Sequence, residues 1–278
     1  MTYFIFNGKI CKAPLSVVGA DNRGLRYGDG LFETMKLKNG RLLFEDEHFA
    51  RLWNGMKVLQ FEIPKHFTAD SLLQEITQLA KKNGHENIVR VRLNVFRGDG
   101  GLYDATNHSP NYIIQTWALP ETNGEWNSNG LVLGIYREVK KSCDILCNLK
   151  HNNYLPYILA ALNAKKEKWN DAIILNTNER ICDTTIANIF VIKNEMISTP
   201  ALSEGCVAGV LRKYLVKELE SKQFQVKQSQ IDIEELLSAD EIFLTNSIYN
   251  IRWVKQIGDR EFTNILTKKA YASVISNT

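Results

Sequence analysis

The stretch ILCNLKHNNYLPYILAA, residues 145–161, changes from a short apolar run into a predicted helix. Lys150 lies where the apolar run ends, just before the predicted helix begins. Behind it, Asn152, Asn153 and Pro156 predict a helix start with an asparagine cap and a proline in the first turn. The helix beyond carries apolar residues at helical spacing, namely Leu155, Ile158, Leu159 and Leu162. We therefore expect Lys150 to lie at the end of an apolar segment, directed off the edge of a core.

This placement of Lys150 suggests a chemical use for its amine. A lysine at the edge of a core loses its proton more readily, because burial disfavours the charged form. A neutral lysine amine forms a Schiff base with a carbonyl compound. The local pattern leaves one alternative open, which is a solvated lysine beside a helix start.

Composition sets limits on the class of protein. The 278 residues are 44% hydrophobic and 23% charged, which is ordinary for a globular protein. The net charge of +3 is small and dispersed, so we expect neither nucleic acid nor a membrane surface as a partner. No apolar run approaches the ~20 residues needed to span a bilayer. The segment 1–12 predicts a first strand and not a signal peptide.

The cysteines indicate a compartment. An odd, scattered set of five argues against a disulfide framework and for a reducing, cytoplasmic environment. Their spacing matches no familiar zinc pattern, so we expect no metal site.

The chain divides at one polar segment. PETNGEWNSNG (120–130) is rich in Gly and Asn and predicts an interdomain linker. A smaller α+β domain over 1–119 precedes it, and a larger domain over 131–278, which carries Lys150, follows. The order of strands and helices has no regular βαβ rhythm, which favours an α+β fold over a Rossmann sheet.

The first domain offers a candidate anion site. Helices are predicted over 44–60, which contains Arg51, and over 69–82. NIVRVRLNVF (87–96) alternates as a strand, with Arg90 and Arg92 on one face and Arg97 just after it. These arginines are suited to bind an anion. Alternatively they belong to a solvated sheet face, and Arg51 to a surface ion pair.

The second domain has two features of the same kind. Asp183 interrupts an apolar, strand-rich region; it is either functional or a turn residue that caps backbone amides. GCVAGVLRKYLVKELESK (205–222) passes from a Gly-rich turn into a helix, and such a helix start is a natural anion site.

Six segments, in order, resemble the signatures of the class IV aminotransferases, the pyridoxal-phosphate enzymes of fold type IV. The first three segments are RGLRYGDGLFET (23–34), EDEHFARL (45–52) and LKHNNYL (149–155). The other three are CDTTIANIFVI (182–192), GCVAGVLR (205–212) and TNSIYNI (245–251). The resemblance implies a two-domain α+β fold of the D-amino acid aminotransferase type.

The same resemblance implies a role for individual residues. Lys150 would form the Schiff base with pyridoxal phosphate, Arg51 would bind the cofactor phosphate, and Asp183 would pair with the pyridine nitrogen. The other implied cofactor contacts are Tyr154, the backbone amides of Val210 and Leu211, and the hydroxyl of Ser247. The implied catalytic and substrate-binding residues are Lys150 and Thr34, and Phe32, Arg92 and Arg97.

Two positions depart from the family pattern. The family usually has Glu where Asp183 stands and Thr where Leu211 stands. Asp keeps the charge but is one methylene shorter, so the backbone comes closer or a water intervenes. Leu211 offers the phosphate only its backbone N–H. An inactive homologue is an alternative that these departures leave open, although retention of Lys150, Arg51 and Tyr154 argues against it.

The motifs also favour one reaction. Thr34 replaces a Gly of the branched-chain aminotransferases, and YGDG, RGDGGLY (97–103) and TNSIYNI resemble aminodeoxychorismate lyases more closely. That implies conversion of 4-amino-4-deoxychorismate to pyruvate and the folate precursor 4-aminobenzoate. Lys150 would remove a proton from the amine-bearing carbon, and Thr34 would assist proton transfer to the leaving group. Arg97 and Arg92 would hold a substrate carboxylate.

The alternative is an aminotransferase that acts on branched-chain or D-amino acids with 2-oxoglutarate. In either case the substrate is a small amine. The resemblance further implies a homodimer, with each site near the subunit interface and between the two domains.

Overall fold

The computed structural model describes residues 2–85 and 87–275, which divide by their contacts into two compact units. The first unit covers the described residues up to Asn123 together with Leu149–Asn153. The second covers Gly124–Asn148 and the described residues from Tyr154 onward. The segment with Lys150 thus joins the first unit, whereas the sequence assigned it to the second domain. The predicted domain ranges also include residues 1, 86 and 276–278, which lie outside the described residues.

The first unit is built on an antiparallel sheet. In the described part of the chain its strand order is β2-β1-β6-β5-β3-β4. The strands are β1 (Tyr3–Phe6), β2 (Lys9–Lys12), β3 (Gly30–Lys38), β4 (Arg41–Leu42), β5 (Ile88–Arg97) and β6 (Pro110–Ala118). On β5, Val89, Val91 and Leu93 are fully buried and Arg90 is exposed. The predicted alternation of this strand is therefore confirmed.

Helices cover the apolar face of this sheet. They are α2 (Glu45–Val58) and α3 (Ala69–Lys82), and a short helix α1 (Arg23–Tyr27) precedes β3. Thr68 and Ser71 form a capping box at the start of α3. Leu52 and Met56 of α2 and Ile76 of α3 are buried in one core with the sheet. Both longer helices lie close to their predicted ranges, because each has a clear start signal and an apolar face.

The second unit is built on a mixed sheet. Its path in the described residues is β12-β11-β10-β13-β14-β7-β8-β9, and β15 pairs with β14. The strands are β7 (Leu131–Lys141), β8 (Asp171–Asn176), β9 (Ile181–Thr184), β10 (Asn188–Lys193), β11 (Met196–Pro200), β12 (Val226–Ser229), β13 (Glu241–Asn246), β14 (Asn250–Ile257) and β15 (Arg260–Glu261). The helices are α4 (Leu155–Lys166), α5 (Val210–Ser221), α6 (Ile233–Leu237) and α7 (Ile265–Val274).

The start of α4 differs from the prediction. Its N-cap is Tyr154, which makes no capping side-chain hydrogen bond, and Pro156 lies in the first turn as predicted. Asn152 and Asn153 precede this N-cap, and the backbone N–H of Asn152 donates to Gly30 O at 2.9 Å. The predicted asparagine cap is therefore wrong.

The apolar stripe of α4 is exposed in the single chain. Leu155 is 66% exposed and Leu162 is 60% exposed. Ala160 and Ala164 are buried instead, against Ala172 and Ile174 of β8. The periodicity predicted the apolar face of α4 that lies exposed. The face that packs on the sheet is formed by small alanine side chains instead.

The described ranges contain neither a membrane-spanning helix nor a metal-binding cluster. No helix within residues 2–85 and 87–275 is long and apolar enough to cross a membrane. No group of three or more His, Cys, Asp or Glu side chains in these ranges is arranged to hold a metal ion.

Candidate active site

Lys150 is fixed along the edge of strand β3. Phe32 N–H donates to Lys150 O at 2.9 Å, and Leu31 and His151 form an isolated antiparallel bridge. Leu149, just before it, is buried in the core of the first unit. The Lys150 ammonium lies 4.2 Å from the centroid of the Phe32 ring. The backbone of this lysine is thus held at a sheet edge and its amine rests on an aromatic face.

Thr34, Phe32 and Arg92 share one face of the sheet. Thr34 lies directly opposite Arg92 in the register of β3 and β5, and Phe32 lies two residues before Thr34. The Arg92 guanidinium is 4.4 Å from the Phe32 centroid, so Phe32 contacts both Arg92 and Lys150. The structure therefore brings together a hydroxyl, two cations and an aromatic ring, all from residues that the sequence singled out.

Arg51 is held by a carboxylate that the sequence analysis missed. Its guanidinium makes two hydrogen bonds to Glu33, which also accepts one from His48 Nδ1 at 2.7 Å. Burial acts to raise the pKa of Glu33, but Arg51 and His48 outweigh it and lower the pKa to about 2. Since strand residues alternate, Glu33 lies on the opposite face of β3 from Thr34. One signal was available: Glu33 interrupts the apolar face that contains Leu31 and Met35.

Arg97 has a structural environment. It is 5% exposed and pairs with Asp29 at 2.9 Å. Its terminal nitrogens donate to the carbonyl oxygens of Gln60 and Leu59 and to His108 Nδ1. Every guanidinium nitrogen is thus bound to protein groups. This geometry favours a structural role over the substrate-binding role that resemblance implied.

In the second unit, Asp183 lies on β9 and is 2% exposed. Its Oδ2 accepts hydrogen bonds from Lys141 Nζ, Tyr157 OH and Val207 N, each at 3.1 Å. Its Oδ1 is buried and has no hydrogen-bond partner among the described residues. Asp183 is therefore a buried carboxylate within a strand and does not lie in a turn. The sequence carried no evident signal for Lys141 or Tyr157.

The segment before α5 forms a close-packed helix start. Gly209 is the N-cap of α5, and Val210 and Leu211 are its first two residues. A Cβ on Gly209 would lie 1.9 Å from Asn188 Oδ1, so no larger residue fits without displacing Asn188. The helix start therefore presents backbone amides without an intervening side chain at Gly209, as an anion site requires.

Ser247 lies in the turn between β13 and β14. Asn246 Oδ1 holds this turn by accepting from the N–H groups of Ile248 and Tyr249 at 3.0 and 2.8 Å. Ser247 itself is half-buried. The Thr245 hydroxyl beside it is buried without a hydrogen-bond partner in the described part of the chain. Tyr154, also half-buried, precedes α4.

Each unit contains groups of the kinds that bind pyridoxal phosphate. The first unit holds an edge lysine and an arginine oriented by a carboxylate. The second holds a buried carboxylate with one unpartnered oxygen and a helix start without a side-chain cap. An amine, an anion-binding guanidinium, an acceptor for a ring N–H and backbone amides are the groups that this cofactor requires.

Comparisons with known proteins give the same family. A family model described as amino-transferase class IV matches residues 30–257. An aminodeoxychorismate lyase from Vibrio harveyi is 29% identical over 250 residues, which cover 89% of this chain and 90% of that protein.

Two solved structures match nearly the whole chain. The 4-amino-4-deoxychorismate lyase from Pseudomonas aeruginosa has a TM-score of 0.83 at 26% identity, covering 99% of this chain and 98% of the other. The branched-chain amino acid aminotransferase from Escherichia coli has a TM-score of 0.87 at 21% identity, covering 99% and 93%, and shares the fold. The predicted family and α+β fold type are confirmed. Because the family model spans well over half of its length, the chain belongs to the class IV aminotransferases.

Proposed function

We propose that this chain is a lyase that converts 4-amino-4-deoxychorismate to 4-aminobenzoate and pyruvate. It is a pyridoxal-phosphate-dependent enzyme of class IV, and the bound cofactor supplies an electron sink for the carbanion that forms when the substrate loses a proton. The observation that carries the proposal is the pairing of Thr34 with Arg92 on the sheet face where Lys150 rests on Phe32. This face offers a hydroxyl proton donor and a carboxylate-binding guanidinium beside an amine.

The cofactor-binding roles are part of the proposal. Arg51, oriented by Glu33, binds the phosphate, together with the backbone amides of Val210 and Leu211 and the Ser247 hydroxyl. Tyr154 contacts the cofactor. The unpartnered Oδ1 of Asp183 accepts the N–H of the ring nitrogen. Three donors hold the other oxygen of this carboxylate.

Lys150 and Thr34 handle the protons. Lys150 would hold the cofactor, and its free amine would accept the proton from the amine-bearing carbon of the substrate. Thr34 donates a proton to the enolpyruvyl group as it leaves, and the substrate ring becomes aromatic. Arg92 binds a substrate carboxylate by a charge-assisted hydrogen bond.

An aminotransferase is the second candidate. Arg92 also suits the carboxylate of an amino acid, and the Escherichia coli branched-chain aminotransferase shares the fold. The difference between the candidates rests on Thr34. A transaminase has no leaving enolpyruvyl group and does not need a hydroxyl at this position.

Substitution of Thr34 tests the proposal. Thr34→Val, which removes the hydroxyl but keeps the shape, lowers kcat for 4-aminobenzoate formation by about 10²-fold, whereas Thr34→Ser retains it. Lys150→Ala removes the visible absorbance of lysine-bound cofactor and lowers turnover by about 10³-fold or more. Undiminished lyase turnover by Thr34→Val, or efficient glutamate formation from 2-oxoglutarate and an amino acid, favours the aminotransferase. If the purified protein never binds the cofactor covalently, that result supports the alternative that the chain is an inactive homologue.

We also propose a homodimer. The exposed apolar side chains of α4 form a continuous face, with Ile158 and Leu159 48% and 43% exposed beside Leu155 and Leu162. A face of this kind on a globular chain is typical of an interface. A second copy of the chain is its proposed occupant, in keeping with the closed symmetric dimers that are commonest among soluble oligomers.

A further inference from the structure

The carboxylate of Asp183 is bound from one side. Three donors from three different segments converge on Oδ2: Lys141 at the end of β7, Tyr157 on α4 and the backbone of Val207. Lys141 is 7% exposed, so this is a buried ion pair and not a surface contact. The second oxygen, Oδ1, is buried and lacks a hydrogen-bond partner within the described residues. A buried, unpartnered carboxylate oxygen is costly unless a ligand completes it.

The charges around the carboxylate are clear. Burial acts to lower the pKa of Lys141, but the Asp183 carboxylate outweighs it and raises that pKa well above its usual value, so the ammonium persists. Burial, together with Asp183, raises the pKa of Tyr157 and of the Cys182 thiol. Burial likewise raises the pKa of the Cys206 thiol to about 11. The phenol and both thiols are therefore neutral at physiological pH, and Lys141 is the charged neighbour of Asp183.

We propose that Lys141 is a positioning residue for the cofactor: with Tyr157 it holds Oδ2 of Asp183, so that Oδ1 is left to accept the N–H of the ring nitrogen. The inference rests on the role of Asp183 under the proposed function. An aspartate with a single donor would rotate about its last bond, whereas three donors on one oxygen fix the direction of the other.

The ammonium has a second effect on the ring nitrogen, opposite in sign to its positioning effect, and we expect this second effect to outweigh the loss of positioning when Lys141 is replaced. A buried positive charge beside the carboxylate lowers the affinity of the carboxylate and ring-nitrogen pair for its shared proton. Removing that charge at a distance of about 6 Å raises the midpoint at which the ring nitrogen loses its proton by about two pH units. Tyr157 is a neutral donor, so its loss shifts the midpoint in the same direction by less.

The test uses holoenzyme loaded with pyridoxal phosphate that carries ¹⁵N in the ring. The ¹⁵N chemical shift reports protonation of the ring nitrogen directly, and it is followed against pH without substrate. We expect Lys141→Met to raise the midpoint by about two pH units and Tyr157→Phe to raise it by less. Lys141→Arg restores a midpoint close to that of the wild type, because it keeps the charge and a donor.

The matched control is Lys140→Met. Lys140 is the neighbouring lysine on the same strand, and it pairs with Glu179 at the surface at 2.7 Å. Its substitution leaves the midpoint unchanged. Thermal unfolding of each holoenzyme establishes that the fold is intact, which separates positioning of Asp183 from a general loss of structure.

The results divide cleanly. The inference is overturned if Lys141→Met and Tyr157→Phe both fold and both keep the wild-type midpoint for deprotonation of the ring nitrogen. If Lys141→Met does not fold, the midpoint of Tyr157→Phe decides. Asp183→Asn identifies the level of any failure. If the ring nitrogen responds to Asp183→Asn but not to the other two variants, the proposed function stands and the role of Lys141 falls. If it does not respond to Asp183→Asn, the assignment of Asp183 itself is wrong, and this inference falls with it.

Discussion

Arg51 and Glu33 form a two-point ion pair, with Nε 2.8 Å from Oε1 and Nη2 2.5 Å from Oε2. The Glu33 carboxyl is 1% exposed, and His48 donates a further hydrogen bond to it. The planar guanidinium is thereby fixed at its Nε edge. An arginine oriented in this way loses little conformational entropy when a phosphate binds.

Because of this ion pair, the free energy of unfolding depends on pH. The pKa of Glu33 is about 2 in the folded protein against an ordinary 4.5, so its stabilisation is present above pH 4.5 and is lost as the pH falls through about 2. We expect Glu33→Gln to lower the unfolding free energy by about 3 kcal/mol at pH 7 and to flatten its dependence on pH over that window. Urea unfolding between about pH 2 and pH 7 measures both effects.

Asp46→Asn is the control for this prediction. Asp46 is an exposed carboxylate in the first turn of the same helix α2. Its substitution leaves the slope of stability against pH close to that of the wild type. An unchanged slope in Glu33→Gln would contradict the account of the pair.

The start of helix α5 should tolerate no added methyl group. We expect Gly209→Ala to destabilise the protein by about 1–3 kcal/mol, because its Cβ would lie 1.9 Å from Asn188 Oδ1. Asn188 is buried and its amide donates to Val207 O at 2.8 Å, so it has little freedom to move. Thermal unfolding and cofactor titration measure the effect. Gly19→Ala, where a Cβ meets nothing within 4 Å, should leave both unchanged.

Two arginines near each other in sequence should behave differently. Arg92→Met should raise KM for the substrate by about 10-fold or more, since it removes a charge-assisted hydrogen bond to a carboxylate, with little change in the melting temperature. Arg97→Met should lower stability by about 2–4 kcal/mol, because it breaks the buried network around Asp29. Steady-state kinetics and thermal unfolding of both variants separate the roles. The reverse pattern would mean that Arg97 is the substrate-binding arginine.

The exposed face of α4 predicts the oligomeric state. We expect a dimer in light scattering after size-exclusion chromatography, and we expect Leu155→Asp with Leu162→Asp to convert it to a monomer, because charges in an apolar interface are unpaired. Lys165→Glu, an exposed change on the same helix, is the control. A wild-type protein that is monomeric at micromolar concentration would remove the proposed role of this face.

Sequence patterns predicted those parts of the fold that depend on local rules. The alternation of β5 and the ranges of α2 and α3 follow from side-chain periodicity and start signals, and the structure confirms them. The predicted asparagine cap of α4 was wrong, because residues 151 and 152 pair with the edge of β3 and the helix begins only after Tyr154. A pattern also cannot tell which apolar face meets the chain's own core and which lies on its surface, as the leucines of α4 illustrate.

The candidate site shows the same limit. Motif resemblance singled out Lys150, Arg51 and Asp183, because each stands in a recognisable segment. It could not find Glu33 or Lys141, whose importance lies in what they contact across the fold. It also implied a substrate-binding role for Arg97, and it did not predict the buried network with Asp29 at the end of β5. Partners that are distant in sequence are set by packing, which a single sequence does not reveal.

The proposed lyase completes its reaction without an amino acceptor. The most direct measurement is the number of 4-aminobenzoate molecules formed per cofactor-loaded active site when 4-amino-4-deoxychorismate is supplied with no keto acid. A lyase regenerates its starting form in each cycle, so we predict many turnovers with equal amounts of pyruvate and 4-aminobenzoate. No 4-aminobenzoate, with conversion of the cofactor to its amine form at most once per site until 2-oxoglutarate is added, would contradict the lyase and identify an aminotransferase.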